Sequence, residues 1–252
     1  MEARPVIAGL HLTADPKAHL LNSRNLPIYT GDVGGCKVLL AVTGVGAVNT
    51  ALHLNELRIR SGQLVQPTIQ LGIAGSFDSE TPLAKDVYEV IEDSYADFGA
   101  HTPAGFCDLQ TLGFVNFAYS IERPEVWQIP ENDREFWGTY RPPAPTVFYN
   151  TLANPHRLSL GLQQVSSLTV QAVSGDAASI ARVRGHWPAA QLESMEGAAF
   201  FQVNSVYPSR YHQLRTVSNH VEPRDPSRWR VKPAIALLGE FAVELVRGGG
   251  WK

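Results

Sequence analysis

Short apolar runs rich in β-branched residues alternate along the chain with stretches whose apolar residues recur at helical spacing. The runs that predict strands are Pro5–Leu12, Lys37–Thr43, Thr68–Leu71, Val87–Glu92, Leu168–Val173 and Gln213–Val217. Helices with an apolar face are predicted over Val48–Arg60, Phe200–Val206 and Ile235–Val246. This alternation indicates an α/β protein in which helices cover a central sheet.

The pattern becomes irregular between Asp97 and Pro145, where several prolines interrupt any long regular element. We interpret residues 97–145 as an excursion from a single domain that spans 1–252. The excursion is either a lid or part of an oligomer contact, or else an ordered loop without such a role.

Composition narrows the function to small-molecule chemistry. The chain has 252 residues, 44% of them hydrophobic, and a net charge of -3 with scattered basic residues, so neither nucleic acid nor an acidic membrane surface is an expected partner. No apolar run is long enough for a secretory signal or a membrane span, which predicts a cytoplasmic protein. Cys36 and Cys107 are far apart, and no paired Cys/His set or HExxH occurs, so no metal and no cofactor are expected.

The segment "GVGAVNTA", Gly44–Ala51, follows one predicted strand and opens a helix. A dinucleotide-binding loop is built this way, but Asn49 occupies the place of the third glycine. The next strand also ends on Gly72 rather than on an acid that could hold a ribose. A tight strand-to-helix turn is the alternative, and an NAD-dependent oxidoreductase is therefore disfavoured.

Two further glycine-containing segments close predicted strands, namely "LGIAGSF" at Leu71–Phe77 and "VSGDAAS" at Val173–Ser179. Ligands in open α/β sheets gather beyond the carboxyl ends of strands, where glycines let the main chain approach a flat ring. The alternative for each segment is a simple turn. Asp176 is expected to be a helix N-cap rather than a catalytic acid.

The segment "ESMEGAAFF", Glu193–Phe201, places two acids and a methionine where a strand meets an apolar helix. A carboxylate accepts hydrogen bonds only, so Glu196 can bind the two hydroxyl donors of a sugar diol. Met195 can pack against the apolar face of that sugar, or it can simply fill the core.

Taken in order, "TGVGAVNTA", "GIAGSF", "VSGDA", "ESMEGAAFF" and "RTVSNHVEPR" resemble the nucleoside phosphorylase and nucleosidase superfamily from Thr43 to Arg224. Within it, "EDSYADFGAH", "GFCDLQTLGF" and "SNHVEPRDPSRW" are most similar to futalosine hydrolases, nucleosidases of the futalosine route to menaquinone. The resemblance implies one α/β domain whose mixed sheet curls into a partial barrel flanked by helices, with the site at strand ends. It also implies a purine nucleoside substrate, cleavage between the purine and C1′ of the ribose, and a homo-oligomer, dimeric or higher.

The resemblance also implies roles for individual residues. Glu196 matches the family's ribose-binding glutamate, and Met195 stands beside it. Alignment of "LTADPKAHLL" places Asp15 where the family carries the acid that orients water, although Asp15 can instead be an N-cap before Pro16. Further substrate contacts are expected from Ile73, Ala74, Gly75 and Ser174.

Water is favoured over phosphate as the nucleophile. Phosphorylases of the superfamily hold the anion with arginine and small hydroxyl residues near the glycine turns. Here we expect Ile73 inside that turn, and no arginine adjoins it in the sequence. An apolar side chain cannot bind phosphate, so hydrolysis is predicted.

Asn219 stands where adenine-cleaving relatives usually carry an aspartate. Its NH₂ can donate to a 6-oxo group and its carbonyl can accept from a protonated N7, so hypoxanthine is the predicted leaving base. Futalosine also carries a carboxylate, and Arg224 or Arg228 can receive it. Alternatively, these arginines are solvated or lie at an interface.

Some choices stay open at the level of sequence. Relatives often stack an aromatic residue on the base just after "SGDA", where this chain has Ala178 and Ser179. Phe77 or the region Tyr95–Phe117 can supply the ring instead. Other interpretations are a different purine nucleosidase or phosphorylase, acting on inosine or a methylthioadenosine-like substrate, and a nucleoside-binding protein without turnover.

Overall fold

The computed structural model describes residues 2–17, 26–61, 67–109, 111–112, 151–153, 160–205, 207 and 210–249. In chain order its elements are α1 (Ala3–Gly9), β1 (Thr13–Ala14), β2 (Ile28–Val33), β3 (Cys36–Ala41), α2 (Ala47–Arg60), β4 (Thr68–Ser76), β5 (Val87–Tyr95), β6 (Gly99–Thr102), β7 (Gly105–Asp108), β8 (Thr151–Ala153), β9 (Gln163–Thr169), α3 (Ala177–His186), β10 (Leu192–Ser194), α4 (Gly197–Ser205), β11 (Tyr211–His220), a 3₁₀ turn (Pro226–Arg228) and α5 (Val231–Gly248).

The chain divides into two compact units, one of Met1–Asp97 with Thr151–Lys252 and one of Phe98–Asn150. In the second unit, the described strands β6 and β7 form an antiparallel hairpin. Most of the predicted excursion at 97–145 lies outside the described residues.

The first unit is built on a closed, mixed barrel of five strands. Its strands follow the order β11, β4, β10, β9, β5, and the antiparallel pair of β5 with β11 closes the ring. Parallel pairs join β11 to β4 and β9 to both β10 and β5, whereas β10 and β4 are antiparallel. The predicted α/β class, with a mixed sheet curled into a barrel and flanked by helices, is confirmed.

Two helices cover the barrel strand β11 from opposite sides because its residues alternate in direction. Tyr211 faces Phe200 and Phe201 of α4, with which it forms edge contacts between rings. Leu214 faces Leu238 of α5. The strand is buried along most of its length on both faces, so its many polar side chains must find partners inside the protein.

The apolar run at Pro5–Leu12 forms helix α1 and not the predicted strand. An apolar run of this length fits a strand or a buried helix equally well, and tertiary packing decides between them. Val6 and Leu10, four residues apart, pack with Ala242 of α5. The next residues, Thr13–Ala14, begin a separate antiparallel sheet in the order β1, β2, β3.

Two other expected boundaries are wrong. Strand β9 ends at Thr169, so the predicted strand Leu168–Val173 lies too far along the chain. Gly72 and Gly75 lie inside β4 rather than in a turn after it.

The helices predicted at Val48–Arg60 and Ile235–Val246 are confirmed by α2 and α5. No helix in the described ranges is both long and apolar enough to cross a membrane.

Candidate active site

The candidate site is built on β4 and the two strands that pair with it, and Gly75 lies near the end of β4. In the strand register it lies opposite Glu193 of β10 on one side and beside Asn219 of β11 on the other. Neighbouring strands are about 4.8 Å apart, so these two positions are roughly 10 Å from each other. Glu196, three residues after Glu193, and Asn219 are therefore carried by the two strands that flank β4.

Glu196 is held by two donors from distant parts of the chain. Its Oε1 accepts from the backbone N–H of Gly46 at 3.0 Å, and its Oε2 lies 3.3 Å from Arg215 Nη1. Gly46 precedes helix α2, whose N-terminus favours a negative charge. The "GVGAVNTA" segment thus forms a strand-to-helix turn that binds the Glu196 carboxylate. This agrees with the tight turn that was the alternative to a dinucleotide-binding loop.

Arg215 is buried in β11 and was not among the residues predicted for the site. Its guanidinium donates to Gln213 Oε1, Gln70 Oε1 and the Ile73 carbonyl as well as to Glu196. No arginine adjoins Ile73 in the sequence, but the parallel pairing of β11 with β4 brings one there. The signal in the sequence was the presence of two long polar side chains, Gln213 and Arg215, in a segment predicted to be a strand.

A buried carboxyl group, Asp93 of β5, lies behind this arginine and was also not predicted. Its Oδ1 accepts from Thr169 Oγ1 at 2.7 Å and its Oδ2 from Gln213 Nε2 at 3.0 Å. Burial raises the pKa of Asp93 to about 7, against the opposing effects of Thr169 and Arg215. Asp93 therefore gains or loses its proton near neutral pH.

Ser174, predicted as a substrate contact, is bound to Glu193. Its backbone N–H and its Oγ donate to the two carboxylate oxygens at 2.9 and 2.6 Å. Burial raises the pKa of Glu193, and the charge of Asp97 acts in the same direction, while the Ser174 bonds oppose it. Glu193 thus fastens the "VSGDA" turn to β10.

Asn219 follows an irregularity in β11, since the register with β4 shifts between Val217 and Asn219. Bulges of this kind re-aim a side chain and are frequent beside active sites. The Asn219 Oδ1 accepts from Ser218 Oγ at 2.8 Å, and its Nδ2 donates to the His220 carbonyl at 3.0 Å. A side-chain carbon at Gly75 would lie 3.2 Å from Asn219 Nδ2, so a glycine leaves room for this amide.

The other residues predicted around the glycine segment have mixed placements. Ile73 belongs to β4, so the expectation that it lies inside a turn is wrong. Its N–H donates to Glu2 Oε1 at 3.2 Å. Ala74 is buried in the core.

Met195, predicted to lie beside the sugar, is partly buried. It packs, with Phe77, against a small apolar cluster that includes Leu168.

Asp15 lies directly after β1, the first strand of the three-stranded sheet. Its backbone N–H donates to the Ile28 carbonyl at 2.9 Å, and its Oδ1 accepts from Lys17 N–H at 2.8 Å. This is an Asx-type turn, close to the capping alternative that the sequence leaves open. Within the described ranges, no hydrogen bond joins Asp15 to Glu196 or Arg215.

The two arginines proposed to receive a carboxylate differ in surroundings. The Arg224 backbone N–H donates to the Gly175 carbonyl at 3.0 Å, and its guanidinium stacks over the Trp229 ring at 4.7 Å. Arg228 instead pairs with Glu222 at 2.8 Å. The structure thus brings Arg224, and not Arg228, against the "VSGDA" turn.

The structure also describes several other residues that the sequence singled out. Asp176 is the N-cap of α3 and accepts from Ala178 N–H and Ser179 N–H, as predicted. Phe77 lies under the guanidinium of Arg184 at 5.7 Å. Phe117 lies outside the described residues. Among the residues that the structure describes, no group of three or more His, Cys, Asp or Glu could hold a metal ion.

Comparison with known protein families identifies the family of this chain. A family model described as the phosphorylase superfamily matches residues 11–247. The chain belongs to the phosphorylase superfamily. The resemblance inferred from the ordered motifs is thereby confirmed.

Curated relatives of this phosphorylase superfamily member are futalosine hydrolases. The chain is 31% identical over 212 residues to the one from Streptomyces coelicolor, which covers 82% of this chain and 77% of the relative. It is 28% identical over 208 residues to the one from Thermus thermophilus, with 82% and 80% covered.

Solved structures share the superfamily fold at low identity. Futalosine hydrolase of Helicobacter pylori superposes with a TM-score of 0.69 at 13% identity, covering 98% of this chain and 93% of that one. The 5'-methylthioadenosine/S-adenosylhomocysteine nucleosidase from Neisseria meningitidis gives 0.68 at 16% identity, covering 98% and 94%.

Proposed function

We propose that the protein hydrolyses the N-glycosidic bond of futalosine, releasing hypoxanthine and dehypoxanthine futalosine in menaquinone biosynthesis. The observation that supports the proposal most is that Glu196, held by Gly46 and Arg215, follows β10, while Asn219 lies in β11, and both strands pair with β4. The names of the curated relatives support futalosine as the nucleoside.

Glu196 is the proposed sugar-binding group. Its two oxygens keep acceptor capacity beyond the bonds from Gly46 and Arg215, and its side chain is 19% exposed. A carboxylate fixed in this way can accept from the 2′- and 3′-hydroxyls of a ribose without moving. Met195 contributes an apolar surface beside it.

Asn219 is the proposed base-binding group. Donation from its NH₂ to the 6-oxo oxygen and acceptance from N7–H stabilise hypoxanthine as it departs with a proton. Adenine would place its amino group against the same NH₂, which leaves two donors facing each other. The amide thus selects a 6-oxopurine.

Water is the proposed nucleophile. The only buried arginine beside β4, Arg215, already donates to Gln213, Gln70, the Ile73 carbonyl and Glu196 in the described part of the chain. A phosphate could bind it only by displacing these partners. We propose Asp15 as the group that orients the water, since its turn uses only Oδ1.

Arg224 is proposed to receive the carboxylate that distinguishes futalosine from ordinary nucleosides. The hydrogen bond from its backbone N–H to the Gly175 carbonyl holds Arg224 beside Ser174. Stacking on the Trp229 ring orders its guanidinium, whose planar pair of N–H donors matches the two oxygens of a carboxylate. Arg228 contributes less, because Glu222 already neutralises it.

We also propose that the protein is a homo-oligomer. The exposed side of α2 carries the apolar side chains of Val48, Leu52 and Ile59, which are 72%, 38% and 55% exposed. An apolar stripe on a helix gains free energy when a second subunit covers it. Light scattering on the purified protein tests this, and a monomer at micromolar concentration would contradict it.

A competition experiment tests the proposed substrate. Purified protein is given futalosine, inosine and methylthioadenosine together at equal concentrations, and the loss of each nucleoside is quantified, because futalosine and inosine release the same base. We expect futalosine to disappear fastest, with dehypoxanthine futalosine as the sugar product. Faster cleavage of inosine or methylthioadenosine would assign a different nucleosidase activity, and bound but uncleaved nucleoside would indicate a binding protein.

A further inference from the structure

Asp93 is the centre of a buried polar network that the proposed reaction does not yet use. The residue is 0% exposed, and both of its carboxylate oxygens accept hydrogen bonds. Thr169 Oγ1 donates to one oxygen at 2.7 Å, and Gln213 Nε2 donates to the other at 3.0 Å. A buried carboxylate is costly, so its presence needs a reason.

The Gln213 branch leads to the sugar-binding carboxylate. Because Gln213 Nε2 faces Asp93, its Oε1 faces Arg215 and accepts from Nε and Nη2 at 3.2 and 3.1 Å. Arg215 Nη1 in turn lies 3.3 Å from Glu196 Oε2. The orientation of one amide thus connects Asp93 to Glu196.

The Thr169 branch leads to the same place by another path. Thr169 Oγ1 donates to Asp93 and accepts from the backbone N–H of Ala198 at 2.8 Å. Ala198 lies in the first turn of α4, two residues after Glu196. Asp93 therefore holds the backbone that carries Glu196 as well as the arginine that binds its side chain.

The space around the network is closely filled. A side-chain carbon at Gly197 would collide with Gln213 Oε1 and Asp93 Oδ2, so only glycine allows α4 to begin here. Two independent branches and a required glycine converge on one carboxylate. A single buried carboxylate could be satisfied by its hydrogen bonds alone, without two connections to Glu196 and a glycine that makes room for them.

We propose that Asp93 is a positioning residue, which acts through Gln213 and Arg215 and through Thr169 to orient Glu196 toward the sugar. The proposal rests on the proposed function, because it deepens the role of the same site. Asp93 itself touches no reacting atom.

Hydrogen-bond polarity explains why the acid must be ionised. A protonated Asp93 Oδ2 would present a hydrogen to Gln213 Nε2, which is also a donor. Rotation of the amide would restore that bond but turn Nε2 toward the guanidinium, where it meets two further donors. Arg215 would then lose its Gln213 contact, and Glu196 would lose its fixed partner.

This polarity predicts a pH dependence. The charged or titratable groups that act on Asp93 are Arg215, Glu196 and Tyr95. Since the pKa of Asp93 is raised to about 7, we expect kcat to fall as the pH decreases below that value.

Two variants test the proposal. In Asp93→Asn the new amide can satisfy Thr169 only by donating toward Gln213, which turns Gln213 away from Arg215. The double variant Asp93→Asn with Gln213→Glu restores the polarity at unchanged total charge. The carboxylate introduced by Gln213→Glu accepts from Arg215 and also from the amide introduced by Asp93→Asn. Asp86→Asn, at an exposed position just before β5, is the matched control.

We expect Asp93→Asn to lower kcat for futalosine about 10- to 100-fold, with a smaller change in KM. The double variant should recover most of kcat and lose the acidic limb of the pH profile, and the control should match the wild type. An unrecovered double variant, or an Asp93→Asn enzyme of normal kcat, would overturn the proposal.

Crystal structures of the variants separate this proposal from the proposed function. We expect the Arg215–Glu196 contact to be broken in Asp93→Asn and restored in the double variant, whichever nucleoside the enzyme cleaves. An intact contact in Asp93→Asn would overturn the positioning role. Absence of wild-type activity on futalosine would instead count against the substrate alone.

Discussion

Arg215 reaches Glu196 across the backbone of Gly72. The guanidinium starts on β11, passes the neighbouring strand β4 and ends 3.3 Å from the Glu196 carboxylate. A side-chain carbon at Gly72 would collide with Arg215 Nη1 and lie 3.0 Å from its Cζ. The ion pair at the proposed sugar site therefore depends on a glycine in the middle of a strand.

Gly72→Ala should destabilise the protein by about 1–3 kcal/mol, because the methyl group forces the buried guanidinium to move. It should also lower kcat/KM for futalosine, since Glu196 loses its partner. Gly185→Ala is the matched control, as its added carbon meets nothing within 4 Å on helix α3. That control should gain about 0.5–1 kcal/mol. Urea unfolding measures both, and equal effects of the two changes would contradict the role of Gly72.

Asn219→Asp should reduce cleavage of futalosine more than cleavage of a 6-aminopurine analogue of it. The aspartate would lose the NH₂ that donates to the 6-oxo oxygen, at a cost of about 1–3 kcal/mol in transition-state binding. Parallel kcat/KM measurements on the two nucleosides give the ratio. Asn55→Asp, at an exposed position of α2 where the side-chain oxygen accepts from Tyr207, should leave that ratio unchanged. An unaltered preference in Asn219→Asp would remove the base-binding role.

Arg224→Gln should raise KM for futalosine by about 10-fold while leaving KM for inosine unchanged, because only futalosine carries the distal carboxylate. Arg228→Gln serves as the control, since Glu222 already binds that guanidinium at 2.8 Å. Steady-state kinetics with both nucleosides checks the prediction. Equal KM changes for the two substrates would show that Arg224 acts on something they share.

The stability of the wild type relative to Asp93→Asn should depend on pH. Asp93 has an ordinary value of 3.8 and a raised pKa of about 7 in the folded state, so between these values only the folded protein keeps the proton. Its contribution to the free energy of unfolding therefore decreases as pH rises from 4 to 7, by up to about 1.4 kcal/mol per unit, and levels off above. Unfolding in urea across this range measures the difference, and parallel curves for the two proteins would contradict it.

Much of the barrel was predictable because its strands and helices carry their own signals. The strand at Gln213–Val217 and the helix at Val48–Arg60 have local apolar patterns that long-range packing does not reverse. Pro5–Leu12 has no such local signal. Its conformation depends on contacts with α5, more than 200 residues away in the chain, and an apolar run alone does not contain that information.

The residues of the candidate site also fall into two groups, those that the sequence singled out and those that it did not. Glu196 stands in an ordered motif, so sequence was sufficient to single it out. Asp93 and Arg215 lie in the quoted segments "EDSYADFGAH" and "RTVSNHVEPR", but no role was predicted for either, and they come together only because β5 and β11 close the barrel. Their one signal is an ionisable residue inside a predicted buried strand, which shows that a partner is needed but not which one.

Release of base from futalosine in a phosphate-free buffer tests the central claim most directly. The purified protein is incubated with futalosine without phosphate and then with added phosphate, and the purine and sugar products are identified by mass spectrometry. Hydrolysis predicts hypoxanthine and dehypoxanthine futalosine at the same rate in both buffers. Base release only with phosphate, together with a sugar 1-phosphate, or no release in either buffer, would contradict the account.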